Sequence, residues 1–269
     1  MQLTGTSVLL TGASGGIGEA LCEVLAGQGI DVIAVGRDAP KLARLAARPQ
    51  ALGDGRIVPV TADIARAQGR EAVLQAAAAT PSPLRCVIHN AGLCRFALHA
   101  ELDEAAIEAQ LQVNLLAPML LTRALLGPLL REPEAALVGI GSTYGSIGYP
   151  GYASYCASKF GLRGFLEALA REHADSALRV LHVAPRATRT GMNPAAVDAL
   201  NLELGVAVDE PMLVARKVVA AIRSGRRRLQ LGWPEKLYAR VNGALPALVD
   251  RSIARQLPQI RRHARAPAT

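Results

Sequence analysis

The chain has 269 residues, 51% of them hydrophobic and only 3% aromatic, with a formal net charge of +8 at pH 7. That size and apolar share suit one large α/β domain and exclude a small fold that depends on staples for its stability. Much of the positive charge sits near the C-terminus, in Arg226–Arg228, Arg251, Arg255, Arg261, Arg262 and Arg265, with no basic–aromatic interleaving or nucleic-acid motif, so no nucleic-acid partner is expected.

In chain order, Ser7–Thr11 is a short apolar run that predicts a strand, followed by Gly12-Ala13-Ser14-Gly15-Gly16-Ile17-Gly18 and a helix over Glu19–Ala26. A glycine cluster alone also suits a plain flexible turn. Between a strand and a helix it offers close backbone approach and the unpaired N–H groups of a helix N-terminus to a pyrophosphate. The alternation continues with predicted strands at Asp31–Val35, Arg56–Val60, Arg85–His89, Ala135–Ile140, Arg179–Ala184 and Arg227–Leu231, separated by helical stretches. This rhythm predicts a doubly wound, Rossmann-type parallel sheet of seven strands in a single domain, with the ligand crevice at the strands' C-terminal ends. Residues 1–232 read as that domain with its substrate loops, and 233–269 as a basic amphipathic extension. The segments Asn90-Ala91-Gly92, Ser142 and Pro185–Thr190 each follow a strand and converge on the crevice.

The chemistry-bearing pattern is Ser142…Tyr155-Cys156-Ala157-Ser158-Lys159. A helix places residues four apart on one face, where an ammonium can act on a phenol and bring its pKa toward a range useful for proton transfer. With 5 Tyr and 4 Lys in the chain, chance supplies only about 0.07 such pairs, so the spacing carries meaning; the bland alternative is a surface pair. The four cysteines, Cys22, Cys86, Cys94 and Cys156, lack metal-ligand spacing; reduced thiols, a cytoplasmic setting and no metal are expected. The glycine loop begins too early to leave room for a cleavable leader, and the apolar run 111–130 is interrupted by Asn114, Pro118, Arg123 and Pro128, so no membrane span is expected.

Taken together, Thr11–Gly18, Asn90-Ala91-Gly92, Asn114, Ser142, Tyr155 and Lys159 resemble the short-chain dehydrogenase/reductase family over residues 5–232. The resemblance implies an oxidoreductase that moves a hydride between a nicotinamide and a carbonyl or secondary alcohol. It implies Tyr155 as the acid or base, Ser142 as a hydrogen-bond donor to the same oxygen, and Lys159 on the nicotinamide ribose, holding down the pKa of Tyr155. Asn114 is implied to support a water that connects Lys159 to solvent. It further implies cofactor contacts from Gly12, Ser14, Gly16, Ile17, Gly18, Asn90, Ala91, Gly92, Pro185, Thr188 and Thr190, and from Asp63 at the adenine. For Asn114, Ser142 and Asp63 the bland alternatives are a self-satisfied helix residue, a turn serine and a helix cap. Dimers or tetramers are common in the family.

At the end of the second strand, Gly36 stands where an NAD site carries an acid, and Arg37 follows, which favours NADP(H) over NAD(H). Asp38 would restore an acidic reader if the register slipped by one. Two departures from the family pattern are Arg186, in place of a glycine after Pro185, and His89, in place of an asparagine. Arg186 or Arg189 could meet an anionic substrate group, and His89 reads as a strand-end histidine satisfied by backbone, ahead of a proton shuttle.

Tyr144, Ile147, Tyr149, Tyr152 and the stretch 192–204, with Met192 at its head, are the substrate candidates; their apolar character fits a lipophilic ketone or a β-keto acyl thioester, and core or subunit packing is the alternative. In the extension, Leu237, Val241, Leu245, Leu248 and Val249 approximate one stripe broken by Pro246. The favoured reading is a helix packed over the active-site mouth or a partner subunit, ahead of a membrane-surface helix. A regulatory or scaffold protein that binds a dinucleotide without turnover is the alternative function, and an isomerase or dehydratase on the same scaffold is a third.

Overall fold

A computed structural model of the chain describes residues 1–48, 53 and 55–265. All seven predicted strands form: β1 (Ser7–Thr11), β2 (Asp31–Gly36), β3 (Ile57–Thr61), β4 (Leu84–His89), β5 (Ala135–Ile140), β6 (Leu178–Ala184) and β7 (Arg228–Gln230). They pair in parallel in the order β3-β2-β1-β4-β5-β6-β7, a doubly wound sheet whose direction of winding reverses between β1 and β4. β7 is shorter than predicted because it pairs on one side only.

Helices α1 (Gly16–Ala26), α2 (Ala39–Ala46), α3 (Ala67–Ala78), α4 (Glu104–Leu111), α5 (Ala117–Arg131), α6 (Ala153–Glu172), α7 (Ala195–Glu203) and α8 (Pro211–Arg223) cover the sheet and its loops. Successive strand side chains point to opposite faces, which splits the interior into two cores. Val8, Leu10, Val32, Ala34, Ile88 and Val138 meet α1 and α8 through Leu21, Leu25, Val214 and Val218. Leu9, Ile33, Val35, Val87 and Leu137 meet α5 and α6 through Leu121, Leu125, Leu129, Leu162 and Leu166. Each fully buried Leu contributes about 1.5–3 kcal/mol relative to exposure. Gly139 lets α6 approach β5, since a Cβ there would overlap the Leu166 side chain.

The α4–α5 stretch, Glu104–Arg131, runs as one continuous helical rod through a π-helical turn at Gln112–Leu116. By length and composition it could cross a membrane, yet Leu121, Leu125 and Leu129 are seated in the second core.

Beyond β7 the chain forms a helical hairpin, α9 (Glu235–Ala244) and α10 (Pro246–Ala264), with the break at Leu245-Pro246. Its inner side is pinned to the body. The Asn242 amide donates to the Ser146 carbonyl at 2.9 Å, the Tyr149 hydroxyl donates to Gln256 at 2.8 Å, and the Arg262 and His263 side chains meet Glu203. The predicted apolar stripe is not the buried face. Of its members only Val249 is buried, while Leu237, Leu245 and Leu248 are exposed. The proline break turns α10 so that Val249, Ile260 and Ala264 face inward instead.

Candidate active site

The ends of β1 and β4 are stitched together by one side chain. The Thr11 hydroxyl accepts from the backbone N–H groups of Asn90 and Ala91, both at 3.1 Å, and the Asn90 side chain donates to the Gly12 carbonyl at 3.0 Å. Gly12 has φ +68°, a left-handed conformation that L side chains rarely adopt. At Gly18, the third residue of α1, a Cβ would fall on the Gly12 carbonyl oxygen and 2.8 Å from the Ala13 Cα. The turn is therefore as tight as the dinucleotide fingerprint requires, with the N-terminus of α1 opening directly onto it.

This turn forms one wall of a cavity of about 1150 Å³ that runs along the strands' C-terminal ends. Gly12, Ser14, Gly16, Ile17, Arg37, Asp63, Asn90, Ala91 and Gly92 line it, as do Ser142, Tyr155, Lys159, Pro185, Thr188 and Thr190. Gly18 lies behind the turn and acts through its closeness. Thr190 closes the opposite wall, since a Cβ on Gly16 would meet the Thr190 Cγ2 at 2.8 Å. The Thr188 hydroxyl is held within its own loop, donating to the Arg186 carbonyl at 3.0 Å. Asp63 is neither free nor a helix cap: it accepts from the Ala65 N–H at 3.1 Å in a turn that precedes α3, and still borders the cavity.

At the end of β2, a Cβ on Gly36 would lie 2.8 Å from the Ser14 hydroxyl oxygen, so no carboxylate fits there without displacement. Asp38 caps α2, accepting from the Lys41 N–H at 2.9 Å, and an ion pair at 3.5 Å holds it beside the Lys41 ammonium. The acidic reader that a register slip would restore is thus turned to its own helix. Arg37 is exposed at the cavity edge, and Lys41 lines the cavity beside it.

The reacting end is built on α6. Tyr155 and Lys159 lie one turn apart, with the Lys159 Nζ 5.7 Å from the Tyr155 ring centre. Burial pushes the Tyr155 phenol well above its ordinary range; a hydrogen bond from Ser142 opposes the shift without cancelling it. Burial also pushes Lys159 down to about 8. Lys159 donates to the Ile140 carbonyl at 3.0 Å. Burial is the largest cause of both shifts, and neither group figures among the causes of the other's.

Asn114 projects from the π-helical turn. Its carboxamide accepts from the Leu93 N–H at 2.7 Å and donates to the Leu93 carbonyl at 2.8 Å and the Ser158 hydroxyl at 2.9 Å. It clamps the segment after Gly92 to α6 rather than satisfying its own helix. Gly92 lies between this carboxamide and the Lys159 ammonium, since a Cβ there would sit 3.4 Å from one and 3.5 Å from the other.

Of the substrate candidates, Tyr144, Tyr152 and Met192 line the cavity. Tyr149 does not: it stacks on Tyr144 with ring centres 5.0 Å apart and turns its hydroxyl to Gln256 of α10. Ile147 is buried away from the cavity as well. Arg186 and Arg189 both carry carboxylate partners. Arg186 pairs with Asp209 at 2.7 Å and Glu235 at 3.6 Å, and Arg189 with Glu210 at 2.8 Å. His89 pairs with the Thr122 hydroxyl at 2.9 Å, a side chain rather than backbone, and burial pushes its pKa down to about 4. Sequence reasoning missed Lys41, Cys94, Gln110 and Glu235 as lining residues. Lys41, one of only 4 lysines and in the first turn after β2, carried a readable signal.

The winding of the sheet, with a tight glycine turn at the reversal point, defines the doubly wound dinucleotide-binding class of α/β protein. Residues 6–201 match the family model described as short chain dehydrogenase. The chain is 39% identical over 184 residues to Nodulation protein G of Rhizobium sp. (strain N33), covering 68% of this chain and 74% of that one. It is 32% identical over 198 residues to the 3-oxoacyl-acyl-carrier-protein reductase FabG of Escherichia coli (strain K12), covering 74% and 80%. A short-chain dehydrogenase from Sphingobium yanoikuyae, solved in complex with NADPH, superposes with a TM-score of 0.77 at 25% identity, covering 91% of this chain and 95% of that one. A second, from Burkholderia cenocepacia J2315 in complex with NADP, superposes with a TM-score of 0.78 at 25% identity, covering 94% and 99%. The chain belongs to the short-chain dehydrogenase/reductase family and is an oxidoreductase.

Proposed function

We propose that this protein is an NADP(H)-dependent carbonyl reductase acting on a lipophilic ketone or β-keto acyl substrate. The single observation that carries the reading is the convergence of Ser142, Tyr155 and Lys159 on the cavity that the glycine turn opens, with Tyr155 and Lys159 one turn apart on α6. A protonated phenol is ready to give a proton to a carbonyl oxygen. The tight glycine turn, the open α1 N-terminus and the Gly36–Arg37 corner fit a dinucleotide with a 2′-phosphate. When bound, the reduced nicotinamide supplies the hydride to the carbonyl carbon. Tyr155 gives its proton to the carbonyl oxygen, Ser142 donates a hydrogen bond to that oxygen, and the Lys159 cation faces the phenolate left behind. Asn114 acts as a positioning residue, fixing the Gly92–Leu93 segment against α6. The relatives named for acyl-carrier-protein reduction and the aromatic wall of Tyr144 and Tyr152 support the substrate class. Homo-oligomers accord with the family.

The first test follows the absorbance of NADPH and NADH with a panel of ketones and β-keto thioesters. Oxidation of neither dinucleotide with any carbonyl would favour the scaffold reading. Arg37→Asp is expected to shift the ratio of kcat/KM values toward NADH by about tenfold or more, through loss of a charge-assisted pair to the 2′-phosphate. An unchanged ratio removes Arg37 from cofactor choice.

The pH profile has a stated sign. Lys159, pushed down to about 8, is charged below that pH and neutral above it, while Tyr155 stays protonated across the same range. The kcat/KM for NADPH is therefore expected to be level below about pH 8 and to fall with unit slope above it, as the cation that would face the ribose hydroxyls is lost. A profile that stays level to pH 10 would show that the Lys159 charge plays no part.

A further inference from the structure

We propose that the outer face of the α9–α10 hairpin docks on an anionic lipid surface. The inference is independent of which carbonyl the site reduces.

α9 has no buried residue, and the hairpin tip, residues 243–248 (Gly-Ala-Leu-Pro-Ala-Leu), is exposed throughout and uncharged. At the tip Leu245 and Leu248 are 58% and 52% exposed, and Trp233, just before α9, is 67% exposed. Apolar side chains concentrated at one protruding end mark a contact surface rather than scattered surface residues.

Charge identifies the partner. Lys236 and Arg240 on α9, and Arg251, Arg255 and Arg261 on α10, are exposed, and none makes an ion pair among the described residues. Arg262 near the end of α10 and Arg265 just past it are paired, with Glu203 and Glu101. Asp250 is the only carboxylate on α10. A second copy of this face would set those unpaired cations against their own kind. A polar acidic protein would pair the arginines but leave the leucines and the indole in water. An anionic bilayer answers both, with headgroups for the cations and the acyl boundary for the apolar tip. The inner side of the hairpin is fixed through Asn242 and Gln256, so the face is presented without prior ordering.

The test is sedimentation of the full chain with vesicles containing about one-third phosphatidylglycerol, and with pure phosphatidylcholine, at low and high salt. Binding to the anionic vesicles alone, released by salt, is expected. Arg251→Gln/Arg255→Gln/Arg261→Gln should weaken partition about a hundredfold, at about fivefold per cation. Leu245→Ser/Leu248→Ser should weaken it by about tenfold or more. All five positions are exposed, so both variants are expected to keep the wild-type melting temperature, which is checked alongside. The proposal is overturned if the wild-type chain stays in the supernatant with anionic vesicles at low salt, if it binds neutral vesicles equally, or if both variants bind like the wild type. It is also overturned if the chain self-associates without lipid and Leu245→Ser/Leu248→Ser abolishes that association, since a second copy then covers the face.

Discussion

Tyr155→Phe is expected to lower the kcat for carbonyl reduction about 10²-fold or more, with the dissociation constant for NADPH nearly unchanged. The ring of Tyr155 lies in the aromatic cluster beside Tyr152, with centres 6.1 Å apart, and phenylalanine preserves that packing. What is lost is the hydroxyl, the proton donor in the proposed mechanism. A hundredfold loss corresponds to about 2.7 kcal/mol of transition-state stabilisation. Steady-state rates, with a fluorescence titration of the dinucleotide, separate this from a binding defect. A variant that turns over at the wild-type rate would remove Tyr155 from proton transfer. Tyr152→Phe, on the same cavity wall, serves as the comparison.

Gly18→Ala is expected to damage the dinucleotide turn outright. The new methyl would fall on the Gly12 carbonyl oxygen and 2.8 Å from the Ala13 Cα, and both are backbone atoms that no side-chain rotation can relieve. Forcing the turn open costs about 1–3 kcal/mol, which lowers the melting temperature by several degrees in a chain of this size. Affinity for NADPH should fall on the order of tenfold or more, because the α1 N–H groups no longer converge. Gly15→Ala is the control, since a Cβ there meets only the Gly12 carbonyl oxygen, at 3.5 Å. Equal behaviour of the two variants would show that close approach at Gly18 does not hold the turn.

The parts of the molecule that were legible in the sequence are those set by local periodicity. Alternating apolar runs located all seven strands, and the one-turn spacing of Tyr155 and Lys159 placed them on one face of α6. The rest depended on burial and on partners distant in sequence. The depth of Tyr155 raises its pKa, and a sequence carries no measure of depth. The carboxylate partners of Arg186 and Arg189, Asp209 and Glu210, lie more than twenty residues away in the chain and only the fold brings them in. Tyr149 looked like a substrate contact until α10 brought Gln256 to it. The C-terminal stripe was read correctly as helical but assigned the wrong face, because the turn imposed at Pro246 is a tertiary event.

The Arg186 ion pairs set a limit on modular engineering of this enzyme. The segment that matches the family ends at residue 201, while both carboxylates that neutralise Arg186 lie beyond it, Asp209 before α8 and Glu235 at the start of α9. A chimaera cut at residue 201 would leave a largely buried guanidinium on the cavity wall without these counter-ions, which is strongly unfavourable. The smallest transplantable unit of this protein therefore runs through Glu235.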